Sequence, residues 1–122
     1  MRTSNRIKIY TYKKCSSCKN ATNWLKRNGH EFDEFAIRDT PPSISELKSM
    51  LAYSNNNIRL LFNSSGLDYR ALNLKEKISK YTENDLILLL SENGNLVKRP
   101  FLLGKYYGLV GFKEAIWEKV FK

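Results

Sequence analysis

The chain has 122 residues, a formal net charge of +9 and 42% apolar residues, enough for one core in one domain and too few for two independent ones. No run approaches the roughly 18 apolar residues of a membrane span, and no apolar stretch of a secretory signal follows the basic N-terminus, so a soluble cytoplasmic protein is expected. Two cysteines and one histidine exclude a disulfide-rich scaffold and most metal and triad chemistries.

Met1 to Asn5 is polar and patternless. Ile7–Tyr12 then alternates β-branched and aromatic residues as a strand does. Cys15-Ser16-Ser17-Cys18 follows, and Cys18, Ala21, Trp24 and Leu25 recur at three and four, the stripe of a helix ended by Asn28-Gly29. Glu31–Ile37, with Phe35 and Ile37 in alternation, reads as a second strand. The right-handed crossover rule makes it parallel to the first.

Thr40-Pro41-Pro42 ends that pattern, and from about residue 43 to 91 the chain reads as helical. Ser43 and Glu46 form a capping box ahead of Leu47, Met50 and Leu51. Asn55-Asn56-Asn57 offers the next cap, Ile58, Leu61 and Phe62 a short stripe, and Tyr69, Leu72 and Leu74 another brief helical piece. Thr82 and Asp85 open a helix whose Leu86–Leu90 is apolar on every side, which predicts contact with both the insertion and the main core.

Leu96–Leu103 reads as a strand interrupted or started at Pro100, Gly104–Gly108 as a turn and Leu109–Phe112 as its hairpin partner. A closing helix is expected to place Ile116, Trp117, Val120 and Phe121 on one face. The expected fold is α/β: a thioredoxin-like, glutaredoxin-like mixed sheet with an all-helical insertion between β-α-β and β-β-α halves, in a single domain over residues 1–122.

The two cysteines stand at a strand-to-helix turn, where the unpaired N–H groups and positive end of the helix favour a thiolate and lower the pKa of the first. Cys15 is therefore the expected nucleophile and Cys18 the residue that resolves a mixed disulfide. A structural zinc site needs four ligands, and only His30 could add to the pair. Two thiols spaced this way without chemistry are the plainer alternative.

The charge is concentrated in the same segment. Residues 1–30 carry Arg2, Arg6, Lys8, Lys13, Lys14, Lys19, Lys26 and Arg27 and no acidic side chain. Lys13, Lys14 and Lys19 would stabilise a thiolate and attract an anionic partner: an oxyanion, an acidic thiol such as glutathione, or an acidic protein surface. Arg99 before Pro100 is the second candidate. In a thioredoxin-like layout this loop faces the active cysteine, a cis peptide there leaves backbone groups for a bound substrate, and the guanidinium can hold an anion or a thiolate intermediate. His30, after Gly29, is expected at the surface or as a cap, and Trp24 and Trp117 in the core.

From Ile7 to about Phe121 the sequence resembles the arsenate reductase (ArsC) and Spx-like family. Its markers are Tyr10–Lys19 with the C-x-x-C, the insertion from Pro41 to Leu90, Leu96–Pro100, and Val110-Gly111-Phe112-Lys113-Glu114. The resemblance implies a catalytic role for Cys15 and Arg99. The family's second arginine aligns with Phe62 and its third falls near Gly111, which removes two of three guanidiniums for a tetrahedral oxyanion and argues against strict arsenate reduction.

What it implies instead is a thiol-disulfide reductase with Cys15, Cys18 and Arg99 catalytic and Lys14, Lys19 and Pro100 contacting substrate. It would bind no cofactor and draw electrons from a glutathione or thioredoxin system. The alternative is an Spx-like redox-sensing regulator that binds the RNA polymerase α subunit's C-terminal domain. Such regulators usually continue in a basic tail, whereas this chain stops at Lys122, as the short reductase-like members do. Direct DNA binding is the weakest option, because no groove-reading motif is present.

Overall fold

In a computed structural model describing residues 6–121, the alternation of Ile7–Tyr12 becomes strand β1, Ile7–Thr11, one of the two central strands of a four-stranded mixed sheet. Met1–Asn5, Arg2 included, and Lys122 lie outside the described residues. The sheet order is β2-β1-β3-β4, with β2 Phe32–Ala36, β3 Phe101–Leu103 and β4 Gly108–Val110. β1 and β2 are parallel, in a register that sets Ile7 beside Phe32 and Thr11 beside Ala36. β3 is antiparallel to both β1 and β4.

Successive strand residues face opposite sides, and the core divides accordingly. Ile7, Ile9 and Leu102 pack against Ala21, Trp24 and Leu25 of helix α1, Ser16–Arg27, and Trp117 of α6, Glu114–Val120. Tyr10, Phe101 and Leu103 face the helical insertion instead. That insertion comprises α2, Ile44–Tyr53; α3, Leu67–Ala71; α4, Leu74–Lys77; and α5, Glu83–Glu92, with 3-10 turns at Ile58–Leu61, Ile78–Lys80 and Gly94–Leu96. The arrangement is the expected thioredoxin-like mixed sheet with its helical insertion. No helix among the described residues is long and apolar enough to cross a membrane.

Local signals account for the helix ends. Both expected capping boxes form, Ser43 with Glu46 and Thr82 with Asp85. Gly29, at φ +76°, ends α1 in the left-handed region that favours glycine. Asn57 caps the first 3-10 turn, and Asn73, at φ +54°, separates α3 from α4.

Two expectations need correction. α5 does not bury every side: Leu86, Ile87 and Leu90 are enclosed while Leu88 stays 47% exposed, because only one face of the helix meets the core. Of the closing helix's face, Trp117 is buried and Phe121 packs against the same cluster, but Ile116 is 48% exposed, because no other element covers it. The strand expected to be interrupted or started at Pro100 starts immediately after it, at Phe101, and Val97 makes an isolated bridge to Phe62 ahead of the proline. Between α5 and β3, α5 ends at Glu92 and the Gly94–Leu96 3-10 turn follows.

Candidate functional site

Cys15 is the N-cap of α1. Its N–H donates to the Tyr12 carbonyl at 3.0 Å, closing the turn that follows β1, and its sulfur accepts the Cys18 N–H at 3.2 Å. A thiolate at this position would take one of the helix's unpaired donors and sit at the positive end of its dipole. Cys15 is half-buried, whereas Cys18, one turn into the helix, is only 2% exposed. Both are free thiols.

Burial pushes the Cys18 thiol up to about 12, and the hydrogen bond to Cys15 adds to the shift. A backbone hydrogen bond from Tyr12 and the positive charge of Arg99 act in the opposite sense without cancelling it. Cys18 is thus protonated at neutral pH, which leaves Cys15 as the accessible sulfur.

The cysteines line a hollow of about 240 Å³ with Tyr12, Lys13, Lys19 and Glu34. Glu34 accepts a 2.6 Å hydrogen bond from the Thr11 hydroxyl and sets one acid opposite the two lysines. Lys14 is exposed and is not part of this lining.

Arg99 packs against Tyr12, its Cζ 5.0 Å from the ring centroid. The Arg99–Pro100 peptide is cis. Pro100 is buried, and its carbonyl accepts the Gly111 N–H at 2.8 Å. Nη1 of Arg99 is enclosed with no hydrogen-bond partner among the described residues. Arg99 lines a separate cavity of about 500 Å³ and acts on the Cys18 thiol through its charge.

Sequence reasoning missed Tyr12 and Arg38. Arg38 Nη1 donates to the Tyr12 hydroxyl at 2.9 Å, and its Cζ is 5.1 Å from the ring centroid, so two guanidiniums share one aromatic ring. The signal available was topological. Both residues lie just past the carboxyl ends of paired parallel strands, where α/β sheets bind ligands. Thr11 lies beside Ala36, and the Ile37 N–H donates to the Thr11 carbonyl at 2.9 Å, which brings the two strand ends together.

Phe62, aligned with the family's second arginine, is buried against Tyr69. Gly111 takes φ +76° at the end of β4. His30 is half-buried, its ring against Trp24 and Phe121. Tyr107 packs on Phe121, while Tyr106 is exposed. Among the described residues, no three His, Cys, Asp or Glu side chains are grouped to hold a metal ion.

Comparison with known proteins gives this geometry its context. The chain is 40% identical to the uncharacterized protein YusI of Bacillus subtilis, over 93% of this chain and 96% of that protein. It is 29% identical to the global transcriptional regulator Spx of Enterococcus faecalis, over 88% and 80% of the respective lengths. An ArsC family related protein from Bacteroides fragilis superposes with a TM-score of 0.89 at 37% identity, covering 97% of this chain and 99% of the other. The ArsC family model matches residues 10–120, from the end of β1 through α6, and the chain belongs to that family.

Proposed function

We propose that the protein is a thiol-disulfide reductase of the cytosol in which Cys15 attacks, Cys18 resolves and Arg99 steadies the intermediate. The observation that carries this reading is the Cys18 N–H donating to Cys15 Sγ at 3.2 Å, with the half-buried sulfur at the helix N-cap and the buried one a turn below. The Cys15 thiolate attacks one sulfur of a substrate disulfide, forming a mixed disulfide and expelling the other sulfur as a thiolate, which takes up a proton. Cys18 then gives up its proton and attacks Cys15 Sγ. The Cys15–Cys18 disulfide forms, the second substrate thiol leaves, and two electrons have passed from the pair to the substrate.

The Arg99 charge lowers the cost of ionising Cys18 at that second step. Lys19 at the hollow, Lys14 on the adjoining surface and Pro100 behind Arg99 are the proposed substrate contacts. Thioredoxin, or two molecules of glutathione, would return the pair to the dithiol. Turnover of a small disulfide coupled to NADPH through thioredoxin and its reductase tests this. Activity lost in Cys15→Ser and Cys18→Ser supports it, and no turnover by the intact chain with either donor system overturns it.

Likeness to Spx supports a second reading, a redox-sensing regulator docked on the RNA polymerase α subunit's C-terminal domain. Retention of polymerase on the immobilised protein, altered by oxidation and unaccompanied by disulfide turnover, would favour that role.

A further inference from the structure

Tyr12 is a wall shared by two hollows. The cysteines line one of them; the other is the 500 Å³ cavity, bounded by Arg38, Asn63, Asp68, Asn95 and Arg99. A third hollow of about 450 Å³ shares Tyr12 and Lys13 with the first and Tyr12, Arg38 and Asn95 with the second, so the three adjoin around one ring. A ligand with its sulfur at Cys15 can therefore extend over Tyr12 into the second cavity.

The charges in that cavity are of both signs. Arg38 and Arg99 supply two guanidiniums. Asp68 supplies one carboxylate, whose Oδ2 accepts the side-chain amides of Asn93 at 3.1 Å and Asn95 at 3.3 Å, which fixes its plane. A guanidinium matches a carboxylate with paired, planar donors. Asp68 repels a plain anion but favours an ammonium group close to that carboxylate. A pair of cations beside one held anion is complementary to a zwitterion.

We infer that the cavity beyond Tyr12 is a subsite for the amino-acid head group of a small thiol or disulfide, its carboxylate on Arg38 and Arg99 and its ammonium on Asp68 Oδ1. Arg38 is the residue that sets the preference. The sulfur end of this assignment rests on the reductase reading; the head-group end does not.

S-methylglutathione carries such a head group and no reactive sulfur. Its binding to the Cys15→Ser, Cys18→Ser protein, measured by calorimetric titration, tests the subsite without any turnover. The expected result is saturable binding that weakens roughly tenfold in Arg38→Ala and recovers in part in Arg38→Lys. Absent binding, or equal binding by the Arg38→Ala protein, overturns the inference. Displacement of the probe by inorganic phosphate at matching concentration overturns it too, by showing a general anion site. If the thioether binds while the intact chain reduces no disulfide, the subsite stands and the reductase reading fails.

Discussion

The backbone N–H of Cys18 donates to the sulfur of Cys15 at 3.2 Å, so the two cysteines are joined by helix geometry before any disulfide exists. They are nonetheless unequal, one half-buried and one enclosed with its thiol pushed up to about 12 by burial. Iodoacetamide at neutral pH is expected to modify Cys15 and spare Cys18, whose rate should be slower by on the order of a hundredfold or more. Peptide masses after timed quenching read this directly; equal labelling of both thiols would contradict it.

Glu46 fastens α2 to β1. Burial alone would raise its carboxyl, but hydrogen bonds from the Tyr10 hydroxyl, the Ser43 N–H and Lys8 outweigh that and hold it below the usual carboxylate range. A carboxyl depressed in the folded state contributes stability that is present above its unfolded value and lost as pH falls through the folded one. Stability should therefore drop as pH falls below the ordinary glutamate value of about 4.3. Glu46→Gln should cost about 1–2 kcal/mol at pH 7 and flatten that acid limb, as urea melts across the range would show.

Trp117 and Ile116 are neighbours with opposite fates. Trp117 is 1% exposed, meets Trp24 edge to face at 5.8 Å and donates its indole N–H to the Gly111 carbonyl at 3.3 Å. Trp117→Ala should cost about 3–5 kcal/mol and Ile116→Ala under about 1 kcal/mol. Urea midpoints at unchanged m-value check both.

Gly94 approaches the chain after β2 so closely that an added Cβ would run into the Ile37 carbonyl. Both sides of that contact are backbone and cannot rotate away. Gly94→Ala should cost about 2 kcal/mol or more and move the Ile37–Arg38 segment. A melt and the chemical shift of the Arg38 amide report the two effects separately.

Periodicity made much of this molecule legible. The stripe of Cys18, Ala21, Trp24 and Leu25 is the buried face of α1, and the Ser43–Glu46 and Thr82–Asp85 boxes open α2 and α5. Position mattered more than pattern at the site. Arg38 follows a strand in a segment without repeat, and only the parallel register of β1 and β2 carries it to Tyr12. Ile116 and Leu88 misled for a related reason, because an apolar residue reads the same whether or not a partner element covers it.

The division of labour between the two sulfurs is tested most directly by intact mass after exposure to glutathione disulfide. The wild-type chain is predicted to lose two hydrogens as the Cys15–Cys18 disulfide closes. Cys18→Ser should instead keep one glutathionyl group on Cys15, where no resolving thiol can displace it. An unmodified Cys18→Ser chain, or an adduct carried by Cys18 in the wild type, would contradict the assignment of Cys15 as nucleophile.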